Sequence, residues 1–220
     1  MAPCNMLVYV TILVLSSYVT HASDLTPLQD FCVGVDDPND ALFVNGRFCK
    51  NPMDVTADDF LFKGLLAGNT NTRLGSHVTL VNATVLPGLN TLGISLARVD
   101  IAPGGLNGPH IHPRGTQVQT MLEGTLFVGF VTSDLPNGEN KFFTKVLNKG
   151  DVFVSPQGLI HFELNIGDTA AVSMHAFSSQ NPGVMANSVF GANPPIRADV
   201  LSKAFDLDEK LIKEIQSRLI

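Results

Sequence analysis

Three of the six histidines in this 220-residue chain fall in a pattern that can hold a metal. His110-Ile111-His112 places two imidazoles at i and i+2, positions that project to one face of a strand. Two imidazoles side by side are half of a metal site. Gln117 follows five positions after His112, and a third imidazole, His161, ends Pro156-Gln157-Gly158-Leu159-Ile160-His161. That hairpin is remote in sequence but adjacent to the His pair if the chain closes into a barrel. His ligands must be neutral to bind, so free-imidazole values predict competition from protons as pH falls through roughly 6 to 7.

Other chemistry is sparse. His175, in Ser173-Met174-His175, sits in an apolar run and reads as a hydrogen-bonded core residue. His77 belongs to a surface run, and Glu123 lies too far along its turn to stand in for Gln117. Lys149-Gly150-Asp151 is explained by a hairpin turn. The chain has no nucleophile elbow, phosphate loop or pair of catalytic acids.

The imidazoles need rigid elements to hold them. Eight short apolar runs, rich in Val, Ile, Leu, Phe and Thr, are cut by Gly, Pro, Asn and Asp: 77–86, 92–101, 117–122, 126–132, 141–147, 151–155, 161–165 and 170–177. No amphipathic helix separates them, which excludes a βαβ sheet. The pattern predicts an all-β double-sheet jelly roll or small barrel over 67–195. Residues 23–66 are irregular and read as an arm. Cys32 and Cys49 fall in it, an even pair once Cys4 is removed. A bridge between them closes a loop of 16 intervening residues, worth roughly 3 kcal/mol; the alternative is two buried free thiols. After Pro194-Pro195, residues 196–220 carry helical spacing. Val200, Leu201, Ala204 and Phe205 make one stripe; Leu211, Ile212, Ile215 and Leu219 make another, capped by Asp206 or Asp208. A neighbouring protomer, or the outside of the barrel, must cover them.

Composition agrees. Hydrophobic residues are 45% and charged residues only 15%, which excludes a disordered chain. A net charge of −6 without a basic run excludes a nucleic-acid or anionic-lipid surface. Residues 1–22 contain no Asp, Glu, Lys or Arg and end in Thr20-His21-Ala22. They read as a signal peptide cleaved after Ala22, too short to span a bilayer. Asn82-Ala83-Thr84 is an N-glycosylation sequon.

Two spacings are specific. Gly104, His110-x-His112, Gln117 and Gly124 follow the first cupin motif, with Gln where the motif has Glu. Gly150, Pro156-x-Gly158, His161 and Asn165 follow the second motif at every defined position. PLQDFCV, PGLNTLGISLARVDIAPGG, LEGTLFVGFVTS, KVLNKGDVFVSPQGLIHFEL and SSQNPGV resemble plant germin-like proteins, over essentially the whole chain.

That resemblance implies a cupin β-jelly-roll barrel with a disulfide-bridged N-terminal arm and C-terminal α-helices. It implies a homohexamer, a trimer of dimers clasped by those helices. It implies secretion to the apoplast and cell wall, with glycosylation, and no membrane span. Germins bind manganese through three His and one Glu and act as oxalate oxidases; some relatives are superoxide dismutases, and many have no established activity. By motif match His110, His112 and His161 become manganese ligands and Gln117 takes the carboxylate's position, where its carbonyl can ligate a hard cation but cancels none of the charge, so that such a site holds a dication less well and resists its oxidation to the trivalent state. Asn90 and Asn107 match the asparagines that face oxalate. Many germin-like chains read HFQ where this one reads His161-Phe162-Glu163, so Glu and Gln have exchanged places at 117 and 163. Glu163 then restores a carboxylate near the metal, as an outer-shell group or fourth ligand. The plainer reading, and the favoured one, is a partly solvated carboxylate at the barrel mouth. Function divides accordingly. An oxidase or dismutase is supported by the three His and by both asparagines, Asn90 and Asn107; a non-catalytic metal-binding wall glycoprotein is supported by Gln117.

Overall fold

The computed structural model describes residues 29–36, 42–44 and 47–219. The expected signal peptide, Cys4 and part of the arm lie outside them. From Cys32 onward the chain forms one compact unit.

The arm contributes β1 (Gly34–Val35), β2 (Leu42–Val44) and β3 (Arg47–Cys49), antiparallel in the order β1-β3-β2. Cys32 and Cys49 are disulfide-bonded with a Cα–Cα distance of 5.0 Å, so the thiol alternative falls away. Cys32 and Val33 are buried, and Arg47 Nη1 donates to Ala83 O at 2.9 Å, fastening the arm to the barrel.

The barrel strands are β4 (Ser76–Val81), β5 (Ser95–Ile101), β6 (Leu106–His110), β7 (Gln117–Glu123), β8 (Thr125–Val131), β9 (Phe142–Asn148), β10 (Val152–Ser155), β11 (Ile160–Asn165) and β12 (Ala171–Phe177). They form two antiparallel sheets, β10-β7-β12-β5-β4 and β6-β11-β8-β9. Each of the eight expected runs holds one strand. The first stops at Val81 because the Asn82 side chain turns the chain, accepting from Thr84 N at 3.0 Å and Val85 N at 3.2 Å. β6 is a ninth strand that the apolar pattern misses, since Asn107, Gly108 and Pro109 read as turn. Its place at a sheet edge tolerates the proline's missing N–H.

Inside the barrel one region is apolar: Val99, Ile101, Met121, Leu126, Val128, Leu147 and Ala171, packed by Phe153. Beside it the usual alternation is inverted. On β11 the polar His161, Glu163 and Asn165 are buried, while Ile160, Phe162 and Leu164 are less so. On β7 Gln117 and Gln119 are buried ahead of Met121, and across the ladder they oppose Phe177 and His175. The fold therefore encloses a polar layer that hydrophobic burial alone does not select.

The tail forms α1 (Ala198–Phe205) and α2 (Glu209–Ser217). Asp206, at φ 53, ends α1, and Asp208 caps α2 by accepting from Lys210 N at 2.7 Å. Leu201 and Ile212 are buried, whereas Val200, Phe205 and Leu211 remain 51%, 49% and 43% exposed. No helix among the described residues is long and apolar enough to cross a membrane.

Candidate metal centre

His110 ends β6, His112 follows two residues later, and His161 stands opposite His110 in the β6–β11 ladder. All three are buried, with ring centroids 4.2 to 5.2 Å apart. Their candidate ligand atoms lie within 4.8 Å of one another. Each Nδ1 meets a backbone carbonyl, which only accepts: His110 with Gly108 O at 2.8 Å, His112 with Gly183 O at 2.6 Å, His161 with Leu159 O at 2.9 Å. The hydrogen therefore sits on Nδ1, and every Nε2 keeps its lone pair for the space between the rings. Burial pushes His110 down to about 4, with the neighbouring His161 adding to the effect, and pushes His161 down to about 4. Both are neutral at pH 7, the state a ligand needs.

Two buried atoms here have no hydrogen-bond partner among the described residues: His161 Nε2 and Gln117 Oε1. Each such orphan costs about 1–3 kcal/mol, and a cation shared by both would remove that cost. Neutral imidazole nitrogens and an amide oxygen suit a divalent metal of borderline hardness. The donor set fits the group.

Gln117 is 1% exposed, and its Nε2 donates to Glu163 Oε1 at 3.2 Å. This corrects the favoured reading of Glu163. It is not a solvated mouth residue but is 1% exposed, because β11 turns it inward with His161. Its other oxygen accepts from Asn107 Nδ2 at 2.9 Å, and His175 Nε2 lies 3.7 Å from Oε1. Burial pushes the Glu163 carboxyl up, against the opposing pull of His110 and the two amides. Glu163 is outside the three-imidazole group; it stands behind Gln117.

A cavity of about 390 Å³ opens onto the imidazoles, lined by Arg73, Asn107, His110, His112, Gln117 and Asn187 among mostly apolar side chains. Asn107 is among the lining residues and Asn90 is not. Asn90 Nδ2 donates to Cys32 Sγ at 3.2 Å and its Oδ1 accepts from Gln180 Nε2 at 3.2 Å. It is 0% exposed and braces the disulfide, with both ends of its amide engaged by the arm and the 180s loop. His175 is the core residue foreseen, with Nε2 2.8 Å from Ser173 Oγ and burial pushing it down to about 3. Sequence reasoning gave no role to Gly183, which lies within SSQNPGV, or to Arg73 and Asn187, which carry no motif.

The cupin family profile matches residues 62–213. A germin-like protein of Mesembryanthemum crystallinum is 62% identical over 190 residues, covering 85% of this chain and 82% of its own. The chain belongs to the germin-like proteins of the cupin family. Germin-like protein subfamily 1 member 16 of Arabidopsis thaliana is 55% identical over 201 residues, covering 90% of this chain and 89% of its own. Among solved structures, an oxalate oxidase in complex with the substrate analogue glycolate superimposes with TM-score 0.80 at 43% identity, covering 90% of this chain and 98% of that one. Within this germin-like framework the three imidazoles meet as the family motifs imply, while position 117 presents an amide.

Proposed function

We propose that this chain is a secreted, glycosylated, manganese-binding germin-like protein of the plant apoplast and cell wall, serving defence as a durable metal protein rather than by oxidising oxalate. The observation that carries the reading is the convergence of His110, His112 and His161 with every Nδ1 committed to a backbone carbonyl. Those three residues and Gln117 would hold the metal, which would supply Lewis-acid and one-electron chemistry there. The protein's part is to keep His110 and His161 neutral by burial and to fix the tautomers of all three imidazoles through their backbone partners. Gln117 is what argues against an oxidase: an uncharged ligand set leaves the dication uncompensated and disfavours its higher oxidation state. Secretion is supported by the charge-free leader 1–22, glycosylation by Asn82, half-buried on a turn, and a homohexamer by the exposed apolar residues of α1 and α2.

A second reading, an active superoxide dismutase or oxalate oxidase, is favoured by the cavity beside His110 and His112, which leaves room for a small substrate. The deciding experiment is metal analysis of the secreted protein, with both assays run on the manganese-loaded form. Bound manganese without oxalate oxidation supports the first reading. Turnover of oxalate or superoxide that vanishes in His161→Ala establishes the second. Absence of any bound divalent metal after loading refutes both.

A further inference from the structure

We propose that Glu163 is a positioning residue for the metal centre: it holds the Gln117 amide so that Oε1, not Nε2, is presented to the imidazoles. The inference rests on the metal-binding reading above. A Gln amide has two ends of nearly equal shape, and only the oxygen can ligate a cation. What lies behind the amide decides which end faces forward. Behind Gln117 lies Glu163 Oε1, which accepts from Nε2 at 3.2 Å. The NH₂ is thereby committed backward, and Oε1 is left buried with no hydrogen-bond partner among the described residues, as is His161 Nε2. Glu163 is held in turn, because its Oε2 accepts from Asn107 Nδ2 at 2.9 Å. Three residues from three strands, β6, β7 and β11, thus form one chain of hydrogen bonds that ends at the orphaned oxygen. With Glu163 removed, nothing among these contacts would stop the amide from rotating and presenting its donors, which repel a cation. Groups that orient a ligand in this way are worth roughly 10–100-fold in metal affinity.

The test is a titration of the metal-stripped full chain with Mn²⁺ at fixed pH, reading the free ion by electron paramagnetic resonance. Glu163→Ala should weaken binding by about tenfold or more. Gln117→Ala should also weaken it, and adding Glu163→Ala to that variant should change affinity by less than about twofold, since Glu163 acts through Gln117. Glu163→Gln keeps an acceptor oxygen at the same place and should lie nearer the native protein than Glu163→Ala. Native affinity in Glu163→Ala, or an equal loss with and without Gln117, would overturn the proposal. If Glu163→Ala fails to fold, Asn107→Ala supplies the second variant: a smaller loss that disappears in the Gln117→Ala background supports it, and a loss that persists there overturns it. Failure of the native protein to bind Mn²⁺, or native binding by His161→Ala, removes the metal reading itself and the inference with it, an outcome distinct from failure of the cycle alone.

Discussion

At the scale of the residue, the contact between Gln117 and Glu163 has a consequence for stability. Gln117→Glu replaces the amide that donates to Glu163 with a second carboxylate and leaves two like groups facing each other in a buried place. The metal-free variant should lose on the order of 1–3 kcal/mol. The reciprocal swap, Gln117→Glu with Glu163→Gln, restores a donor opposite an acceptor and should recover most of it. Thermal unfolding after chelation measures both; equal melting of the single variant and the native protein would show that the two side chains do not touch. A second expectation concerns pH. Free-imidazole values place loss of the metal between roughly 6 and 7, but burial pushes His110 and His161 down to about 4. These folded-state values lie below the unfolded one, so protons gain on these sites only as pH falls toward 4. The same shift makes the fold lose stability over that window, as the unfolded chain takes up protons that the folded one refuses. Bound manganese should therefore persist through pH 6. Release centred between 6 and 7 would contradict this expectation.

At the scale of the element, the site depends on turns that place polar side chains inward in register. Gly124 joins β7 to β8 at φ +75, and a Cβ there would stand 2.7 Å from Ala171 Cα and 2.8 Å from Ala170 O. Both contacts are to backbone, which cannot swing aside, and the left-handed conformation adds about 1–2 kcal/mol for any other residue. Gly124→Ala should cost several kcal/mol, lowering the melting temperature and the yield of folded protein. Gly138→Ala is the control: its φ is +79, but nothing lies within 4 Å of the added methyl, so it should lose only the conformational part. Equal melting of the two variants would show that the approach of β12 to the β7–β8 turn is looser than described. Register matters because side chains alternate: a slip of one residue on β11 would turn His161 and Glu163 outward and bring Ile160 and Phe162 in. Hydrophobic burial alone would favour that slip. The β6–β11 and β11–β8 ladders oppose it.

At the scale of the whole molecule, the unresolved account is that of the apolar surface. Val200, Phe205 and Leu211 on the two helices stand about half exposed, and Phe142, Val146, Val152 and Val154 do the same on the outer faces of β9 and β10. A single chain leaves these against water, and association into an oligomer would cover them. Deleting the residues after Pro195 should remove the helical contacts, expose what Leu201 and Ile212 cover, and give an aggregating or smaller species on size-exclusion chromatography. A truncated chain that stays soluble at the size of the native assembly would show that the helices take no part in it.

Much of the site was legible in the residues because its spacing is local. The His-x-His pair and the two glycine-framed motifs are short-range, and alternating apolar runs bounded by turn residues announce strands whatever the tertiary setting. So the jelly roll, the disulfide pair, the helical tail and the three imidazoles were all within reach of the sequence. What lay outside it was everything set by contacts between distant segments. β6 was hidden because its Asn-Gly-Pro is tolerated only at a sheet edge. The contacts of Asn90 were hidden because a motif does not say that Cys32 and Gln180 will take both ends of its amide. The role of Glu163 was undecided because exposure depends on how the strands close over it. The three-dimensional packing brings Asn107, Gln117 and Glu163 from three strands into one hydrogen-bonded chain, and a carboxylate that the sequence favoured as solvated becomes the group behind the Gln117 amide.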